Sequence, residues 1–597
     1  MAVTEKYSPL PPWQRTDYCG ALRASDTGRD VALWGWVNTR RDHGGLIFID
    51  LRDREGIVQL VLNPEHNPAA HDAAGGARAE FYAAVKGKVV RRAEGTVNAQ
   101  IPTGEIEIAV TEFEILSVSE PAPFQIADSE LTTEEVRLKH RYLDLRRPAM
   151  QQNLRRRHQA LKAVRDFLDS KGFIEVETPI LFKSTPEGAR DYLVPSRVNP
   201  GKFYALPQSP QLLKQILMIG GFDRYYQIAR CFRDEDLRAN RQPEFSQIDI
   251  EMTCPRPEDI QTIAEGMIAQ AYQRVLGIDV KPPFIRMSYA EAMERFGSDK
   301  PDMRFGIELK NLSAAFAGTA FKVFAEVLAR GEAVYGISLP GVHQLTRREL
   351  DEIIEAVKAR HGMGLAWIKV GEGGWQGPIA KHVADTERAR ATELANLKDG
   401  DTLMMMAGRP EKVRPALGEI RLQLGSKFGL NKSSELKFLW VVDFPLFDYS
   451  EEEKRLVSVN HPFTAPNPDD VGMLASEPGK ARALAYDMVL NGEELGGGSI
   501  RIHSRELQFK VFEILGLSRE EAADRFGFLL DALRYGAPPH GGIAFGVDRL
   551  CMMLCGTESI RDVIAFPKTQ KAVDPMSGAP SDVDPRQLKE LSIKVTA

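Results

Sequence analysis

The stretch 225–252 restricts the fold more than any other part of the chain. Its first part, 225–232, and its last part, 245–251, both alternate between apolar and polar residues, which is typical of half-buried strands. The segment between them, 233–244, is rich in arginine and acidic residues and contains one proline. The pattern predicts an antiparallel hairpin with a long, charged loop.

The charges of this hairpin are not confined to its loop. Arg233 and Glu235 follow the first strand directly, and Asp249 lies inside the second. A charged loop is most often a solvated surface. Guanidinium and carboxylate groups that emerge together from a sheet are instead typical of a site for an anionic ligand.

Length and charge limit the class of protein. A chain of 597 residues should form several domains, and a net charge of −6 argues against a uniformly basic nucleic-acid binder while leaving room for local basic faces. The N-terminal residues lack the apolar core of a signal peptide, and no apolar run is long enough to cross a membrane. The five cysteines form no metal-binding pattern. Cys551 and Cys555 are four apart in a predicted helix, a spacing that suits packing in the protein core. These features predict a cytoplasmic protein.

The first domain, 1–119, has the pattern of a small β-barrel. A segment that is rich in alanine, at about 68–86, predicts a helix or helical loop after the third of five strands. The predicted strands are 31–38, 46–51, 57–62, about 88–97 and 105–118. Three strands, a helix and two strands predict a five-stranded OB barrel.

Several residues of this barrel suit single-stranded nucleic acid, which OB barrels bind by stacking bases on aromatic rings beside basic groups. Phe48 lies on the second strand, Gln59 on the third and Glu107 on the last, and the pair Arg40–Arg41 is placed between strands one and two. Alone, Phe48 suits the core and Gln59 an exposed strand. Together on one face they favour RNA binding.

Residues 120–150 predict a linker with three prolines and the arginine-rich run 139–148, which suits either phosphate contacts or a solvated helix. A helix over 152–171, ended by Gly172, and a strand over 173–181 follow. Pro179 has no N–H to donate to a hydrogen-bond ladder in the middle of a sheet. It therefore predicts that this strand lies at a sheet edge, which another chain covers.

Two polar segments come before the hairpin. Residues 185–196 predict a loop that contains Glu187, and 208–218 predict a helix on which Gln211 and Lys214 share a face. A helical lysine is usually solvated, but this pair is also suited to bind a carboxylate.

These motifs resemble those of class II aminoacyl-tRNA synthetases. ETPIL (177–181), RCFRDE (230–235) with RQPEF (241–245), and GGIAFGVDRL (541–550) resemble the family's motifs 1, 2 and 3 in order and spacing. TPEGARDY (185–192), QSPQLLKQ (208–215) and GGGSIRIH (496–503) narrow the resemblance to bacterial-type aspartyl-tRNA synthetases. The resemblance covers essentially the whole chain.

The resemblance implies an α+β fold in which an OB barrel precedes an antiparallel catalytic sheet flanked by helices. Motifs 1 and 2 are expected in 151–300, an inserted α/β domain in 301–425, and motif 3 with a C-terminal extension in 426–597. It also implies a homodimer with Pro179 at its interface.

The activity implied is that of an aspartate–tRNA ligase, which attaches L-aspartate to tRNA at the expense of ATP. Arg233 and Arg549 are the implied catalytic residues. Aspartate is expected to contact Glu187, Gln211, Lys214, Arg233, Asp249, His461 and Arg501. ATP is expected to contact Arg233, Asp234, Glu235, Arg241, Gln242, Phe245, Glu494, Gly546, Val547, Asp548 and Arg549. Asp487 and Glu494, seven apart on two helical turns or across a turn and loop, are expected to hold Mg²⁺.

The barrel is expected to read the anticodon through Arg41, Phe48, Gln59 and Glu107. His43, in the loop between strands one and two, and Gly95, after the fourth strand, resemble residues of family members that accept both tRNA-Asp and tRNA-Asn. A strict tRNA-Asp enzyme is the alternative. A non-catalytic RNA-binding paralogue should have lost Arg233, Glu494 or Arg549, which are present. Neither DNA nor a membrane is expected as a partner.

Overall fold

The computed structural model describes residues 10–127, 132–185, 189–235 and 240–596. The chain divides into two compact units. The barrel unit comprises Met1–His158, Leu237–Arg241 and Thr557–Asp582, and the sheet unit comprises Gln159–Asp236, Gln242–Gly556 and Val583–Ala597. Across the described ranges, no helix combines the length and the apolar character that a membrane span needs.

The N-terminal part of the barrel unit is a closed barrel of five strands, which confirms the predicted OB fold. The strands follow the order β1-β2-β3-β5-β4 around the barrel, and β3 runs parallel to β5. They are β1 (Asp30–His43), β2 (Leu46–Asp53), β3 (Gly56–Leu62), β4 (Tyr82–Arg91) and β5 (Ile106–Ser117). Alternate apolar residues of each strand fill the interior, which is why the period-2 pattern was readable in the sequence.

Strand β1 is longer than predicted and includes Arg40, Arg41 and His43, which had been expected in the following loop. His43 pairs directly with Leu46. The two residues between them are Gly44 and Gly45, whose φ angles of 62° and 90° permit a two-residue turn that other residues rarely form. The ladder therefore continues to the turn itself.

The alanine-rich helix is shorter than predicted. Helix α1 (Pro68–Gly75) begins after Asn67, whose side chain accepts from the Ala70 N–H, and ends at Gly75–Gly76. Residues from Tyr82 onward join β4 instead, which pairs with both β1 and β5 and closes the barrel. Pairing on both sides outweighs the helix propensity of Ala83 and Ala84.

The linker forms helices α2 (Glu134–Lys139) and α3 (Arg141–Asp144) and the start of α4 (Pro148–Ser170). Its arginines are neither solvated nor available to phosphates. Arg141 is buried, pairs with Asp144, and donates to the carbonyl oxygens of Arg561 and Ile564 at 2.8 Å. Arg146 pairs with Glu80 at 2.8 Å. These groups join the linker to the barrel and to segment 557–582.

The predicted charged hairpin is confirmed. It consists of β9 and β10, which pair antiparallel from Phe232↔Glu244 to Arg224↔Met252; residues 236–239 of its loop lie outside the described ranges. The surrounding elements are β6 (Ile174–Glu175), β7 (Leu193–Pro195), β8 (Phe203–Ala205), α5 (Gln211–Ile219), β9 (Arg224–Phe232), β10 (Glu244–Thr253), α6 (Pro257–Leu276), β11 (Ile285–Ser288) and α7 (Tyr289–Phe296).

A separate five-stranded sheet follows in the chain, in the order β12-β13-β16-β14-β15. Its elements are β12 (Leu309–Asn311), α8 (Lys322–Ala329), β13 (Ala333–Leu339), α9 (Arg347–His361), β14 (Ala366–Gly371), β15 (Gly374–Gln376), α10 (Asp385–Leu394), β16 (Thr402–Gly408) and α11 (Pro410–Lys427). The helix predicted from TRRELDEIIEAVKAR is α9, and Thr346 caps it by accepting from the Glu349 N–H.

The remaining elements complete an eight-stranded sheet in the order β11-β17-β20-β21-β22-β10-β9-β6. They are β17 (Phe438–Val442), β18 (Phe447–Ser450), β19 (Arg455–Ser458), β20 (Ala485–Leu490), β21 (Glu493–Ile500), α12 (Arg505–Ile514), α13 (Arg519–Ala532), β22 (His540–Gly546), α14 (Val547–Cys555) and α15 (Pro585–Glu590). The charged hairpin thus lies between β22 and the edge strand β6. Cys551 and Cys555 lie on α14, and Cys551 is buried, as the core interpretation predicted.

The strand predicted over 173–181 is mostly wrong. Only Ile174 and Glu175 form β6, which pairs parallel to β9 at the edge of the sheet. The pairing stops before Pro179, which cannot extend a ladder and is exposed. Ile180 and Leu181 are also exposed, at 45% and 50%. The edge position is as predicted, although the strand is short.

Candidate active site

A cavity of about 570 Å³ opens on the eight-stranded sheet, within the sheet unit. Strands β10, β20 and β21 and helix α5 supply part of its polar lining, and the segments between elements supply the rest. Its principal lining residues are Gln208, Gln211, Lys214, Arg233, Glu235, Gln247, Asp249, Asp299, Asn460, His461, Asp487, Glu494, Ser499 and Arg501. Predicted residues from four separate sequence segments therefore meet in one place.

Four buried charges occupy the floor of the cavity. Asp249 and Glu251 are two apart on β10 and so point to the same face of the sheet. Lys214 Nζ lies 3.0 Å from Asp249 Oδ1 and 3.4 Å from Glu251 Oε2. Arg501 donates to both Glu251 oxygens, at 2.9 and 3.1 Å. Each side chain is at most 2% exposed, so neither cation can turn away to water.

The electrostatics of this cluster favour a charged Glu251 carboxylate and a neutral His461 ring. Burial alone would raise the pKa of Glu251, but Arg501 and Lys214 outweigh it and hold that pKa below its ordinary value. Burial and these same two cations lower the pKa of His461 well below its ordinary value. The neutral His461 ring can therefore accept from Arg501 Nη1, at 2.7 Å from its Nε2.

Two buried polar atoms beside these charges have no hydrogen-bond partner among the described residues. They are Nε2 of Gln211, a donor, and Oδ2 of Asp249, an acceptor. Both residues line the cavity. Because an unmet buried donor or acceptor costs about 1–3 kcal/mol, such atoms indicate the place of a polar ligand. A donor and an acceptor side by side suit a carboxylate and an ammonium group.

The roots of the charged hairpin form a second group. The Arg233 guanidinium lies 5.1 Å from the centre of the Phe245 ring, and the Arg233 N–H donates to Pro243 at 2.9 Å. The Asp234 N–H donates to the Arg190 carbonyl at 3.1 Å. Glu235 lines the cavity, whereas Gln242 is buried below it in the hairpin. Arg233 thus offers a fixed cationic fork beside an aromatic face.

The third motif is a strand followed by a helix, as predicted. Gly546 ends β22 opposite Gln247, and Val547 begins α14. The Asp548 carboxylate accepts from the Ser246 N–H at 3.2 Å, which ties the helix to the hairpin. Arg549 donates to the Glu494 carbonyl oxygen and lies 3.9 Å from that residue's carboxylate.

Asp487 and Glu494 lie on the paired strands β20 and β21. The turn between them explains their spacing, and the two-helical-turn alternative is wrong. A Cβ at Gly497 would lie 2.5 Å from Asp487 Oδ1 and 3.7 Å from Glu494 Oε1, so the missing side chain leaves room between two carboxylates. Burial and the neighbouring acids raise the pKa of Asp487, while Lys300 and Arg549 outweigh burial and lower that of Glu494.

This pair fits a hard divalent cation in part. In the portion of the chain that the structure covers, no set of three His, Cys, Asp or Glu side chains could hold a metal ion alone. Two carboxylates with open space beside them are the donor set that Mg²⁺ takes when substrate phosphates supply further oxygens.

Several residues that line the cavity, and two that form ion pairs with lining residues, had not been predicted as site residues. Glu251 could have been found, because it is two residues after Asp249 on the same strand face. Nothing local singles out Asp299 or Lys300, which reach the site only through the fold. The unpredicted residues include Gln208, Gln247, Glu251, Asp299, Lys300 and Ser499.

Seven residues predicted to contact ATP do not line this cavity: Asp234, Gln242, Phe245, Gly546, Val547, Asp548 and Arg549. Two more predicted residues are not placed in it for other reasons. Glu187 lies outside the described residues, within 186–188. Arg241 is described but belongs to the barrel unit.

On the barrel, the residues predicted to bind RNA form one connected face. Gln59 donates to Glu107 at 2.9 Å and accepts from Arg41 at 3.2 Å. Phe48 is half-buried rather than part of the core, and its ring meets the His43 ring edge-on at 6.2 Å. Gly95 lies in the loop after β4, as predicted. Polar groups beside an accessible ring are the combination that reads unpaired bases.

The chain matches two family models. Residues 133–570 match tRNA synthetases class II (D, K and N), and residues 31–116 match the OB-fold nucleic acid binding domain. Relatives from Syntrophotalea carbinolica and Caldanaerobacter subterraneus subsp. tengcongensis, both named aspartate–tRNA(Asp/Asn) ligase, are 55% identical, with 98% of each chain covered.

Solved structures show the same fold at lower identity. Asparaginyl-tRNA synthetase from Pyrococcus horikoshii, complexed with asparaginyl-adenylate, aligns with a TM-score of 0.59 at 20% identity over 93% of this chain and 98% of that one. A putative aspartyl-tRNA synthetase from Leishmania major aligns with a TM-score of 0.58 at 19% identity over 95% of each. With a family match over residues 133–570 and full-length relatives at 55% identity, this chain belongs to the class II tRNA synthetases of the D, K and N group.

Proposed function

We propose that this chain is an aspartate–tRNA ligase, which activates L-aspartate with ATP and transfers it to tRNA-Asp and tRNA-Asn. The observation that carries the proposal is the buried pair of cations, Lys214 and Arg501, beside the unpaired atoms of Gln211 and Asp249. An amino acid with a second carboxylate matches this arrangement, because its side chain meets the cations while its ammonium group meets Asp249. The names of the 55% identical relatives support the same activity.

The cluster also explains how asparagine is rejected. Lys214 Nζ contacts the carboxylates of Asp249 and Glu251, and Arg501 contacts Glu251, His461 and Ser499. Both cations also line the cavity, from which the β-carboxylate of aspartate would approach them. A neutral amide in place of the β-carboxylate leaves two buried cations short of one negative charge. A site built on such contacts discriminates by about 10⁴-fold or more.

Activation joins two anions, since the α-carboxylate of aspartate attacks the α-phosphate of ATP. The protein therefore acts by positioning the groups and neutralising their charge. Arg233 bridges the carboxylate and the α-phosphate, and Phe245 stacks on the adenine beside it. Glu235 accepts from the adenine amino group, and Arg549 and Arg241 bind the terminal phosphate. Asp234, Gln242, Glu494, Gly546, Val547 and Asp548 complete the proposed ATP site.

Aspartate binding is assigned to Glu187, Gln211, Lys214, Arg233, Asp249, His461 and Arg501. Asp487 and Glu494 would hold Mg²⁺, which supplies positive charge to the phosphates and orients them. Contacts within the protein fix the orientation of some of these side chains. The best-defined example is His461, whose neutral ring orients the Arg501 guanidinium.

We further propose domain limits of 1–119, 120–150, 151–300, 301–425 and 426–597, and a cytoplasmic location. We also propose a homodimer whose second subunit covers the edge of the eight-stranded sheet near Pro179. The exposed apolar side chains Ile174, Ile180 and Leu181 support that interface. Dual tRNA specificity is proposed from His43 and Gly95, which lie at and near the RNA-binding face.

Separate transcripts of tRNA-Asp and tRNA-Asn test the proposed function. We expect both to accept radiolabelled aspartate, and neither to accept asparagine. The anticodons of the two tRNAs differ at one base, so a second set of transcripts with that base exchanged is the matched control. A chain that charges tRNA-Asp alone is a strict enzyme, and one that charges neither lacks the proposed activity.

Replacing Phe48 with alanine should weaken tRNA binding without affecting aspartate activation. Loss of one base–aromatic stack costs about 1–3 kcal/mol, so the KM for tRNA should rise by roughly 10- to 100-fold. The measurement compares aminoacylation with tRNA-free ATP–pyrophosphate exchange. Tyr82→Ala is the matched control, since it removes another half-buried ring from an edge-on aromatic pair of the barrel. If the KM for tRNA rose equally in both variants, the proposal that Phe48 stacks on a base of the tRNA would be wrong.

A further inference from the structure

Lys300 reaches the carboxylate pair from a segment to which no motif assigns a role. Its Nζ lies 2.7 Å from Glu494 Oε2, and its side chain is 37% exposed. It lies between α7 and β12, where the chain enters the five-stranded sheet. Glu494 therefore already has a cation when no metal ion is bound.

The start of this segment is fixed by contact between backbones. Gly297 has a φ of 64°, and a Cβ there would lie 2.1 Å from the Arg414 carbonyl oxygen of α11. In return, a Cβ at Gly418 would lie 2.6 Å from the Gly297 carbonyl oxygen. Neither glycine can be replaced without moving α11 away, so the position from which Lys300 extends is well defined.

The end of the segment is held against the turn between β20 and β21. The buried Asp302 accepts from the backbone and the guanidinium of Arg304, and its carbonyl oxygen accepts from Arg421 at 2.7 Å. Arg304 also donates to the Asn491 carbonyl at 3.3 Å. Gly492, with a φ of 91°, lets that turn approach Asp302 closely. The backbone on both sides of Lys300 is therefore held in place, while its side chain is 37% exposed and can change partner without moving that backbone.

The charges around Lys300 define what it can do. Asp299, Asp487 and Glu494 all line the cavity, and Glu494 forms the ion pair with Lys300, at 2.7 Å. An ammonium group and a divalent ion both need the oxygens of Glu494. Lys300 contacts Oε2 of Glu494, whereas the room beside Asp487 opens toward Oε1. A divalent ion bound there would share one carboxylate with the ammonium group, and the two positive groups would repel each other.

We propose that Lys300 is a positioning residue that neutralises Glu494 in the metal-free enzyme and competes with the divalent ion for that carboxylate. The ion then binds tightly only with ATP, whose phosphates give the Lys300 ammonium a replacement partner. This inference rests on the proposed function, in which Asp487 and Glu494 hold the ion. It makes metal and nucleotide binding interdependent through one side chain.

The test measures Mn²⁺ binding to the full chain without nucleotide, by the electron paramagnetic resonance signal of the free ion at pH 8. Lys300→Met removes the charge and keeps the stem, and we expect it to bind Mn²⁺ about tenfold more tightly, because one partly screened like charge is lost. Lys300→Arg keeps the charge and should stay within about twofold of the unmodified chain. With ATP present, Lys300→Met and the unmodified chain should bind Mn²⁺ with equal affinity.

Lys310→Met is the matched control, because Lys310 is similarly exposed and pairs with Glu308 at 3.5 Å in the same part of the chain. Lys300→Gln provides a second neutral variant if Lys300→Met does not give a cooperative melting curve. Unchanged or weaker Mn²⁺ binding in the neutral variants overturns the proposal, since a merely structural lysine would loosen the site when removed.

Failure of the metal site itself is distinguishable. Glu494→Gln should abolish the Mn²⁺ binding of Lys300→Met; if it does not, Glu494 is not a ligand, and the proposed metal role fails together with this inference. Absence of Mn²⁺ binding in every variant leads to the same conclusion. Charging of the two tRNA transcripts tests the ligase activity independently of either result.

Discussion

Replacing Arg501 with alanine should abolish aspartate-dependent ATP–pyrophosphate exchange. Arg501 is one of two buried cations of the cavity, and both its contacts with Glu251 and its approach to His461 fix the guanidinium in place. Loss of a buried charge partner costs about 2–5 kcal/mol of binding, so kcat/KM for aspartate should fall by roughly 30- to 4,000-fold.

The same replacement should reduce stability, which must be separated from the effect on activity. Glu251 would keep only Lys214, at 3.4 Å, and a carboxylate that loses a buried partner costs about 3–5 kcal/mol. Thermal melting followed by circular dichroism would measure this loss. Arg501→Lys keeps the charge but loses the double contact with Glu251, so it should be more stable than Arg501→Ala and still strongly impaired.

Arg482→Ala is the control for loss of an arginine in the same part of the chain. Arg482 pairs with Asp470 at 2.8 Å and is 45% exposed, so its removal should leave aspartate activation unchanged. Retained aspartate-dependent exchange in a folded Arg501→Ala variant would contradict the assignment of Arg501.

Local patterns were sufficient for the parts of the fold that depend on neighbours in sequence. The hairpin β9–β10 was readable because the alternation of its strands lies within a few residues, whereas the strand and helix around Gly546 were expected from the family resemblance. The barrel followed from the same kind of alternation. Errors appeared where pairing across the sheet decided the outcome, as at Tyr82, where two partner strands outweigh an alanine-rich local preference.

The candidate site was only partly predictable, for a related reason. The residues of known motifs were named in advance, but the contacts that fix their charges join positions far apart in the chain. Arg501 and Glu251 are 250 residues apart, and Lys300 and Glu494 come from segments with no shared pattern. Burial of four charges in one cluster is a property of the sheet, which no single strand reveals.

Arg233 gives the second large expected effect. Its guanidinium lies at the root of the hairpin, held beside the Phe245 ring at 5.1 Å, and faces the cavity. In the proposed reaction it contacts both anions as charge accumulates on the α-phosphate. Removal of one donor to a developing oxyanion typically costs 10²- to 10³-fold in kcat, and Arg233 supplies two such contacts. We expect Arg233→Ala to lower kcat for activation by about 10³-fold or more.

Arg233→Lys separates charge from geometry. A lysine keeps the positive charge but cannot contact two anions as a planar fork, so activity should recover only in small part. The matched control is Arg230→Ala, on the same strand, where Arg230 pairs with Glu244 at 3.0 Å and is 44% exposed. Single-turnover formation of aspartyl-adenylate, measured by quenched flow, would report the chemical step without product release. If Arg233→Lys matched the unmodified chain, charge alone would account for this residue, and its proposed role as a bridge would be wrong.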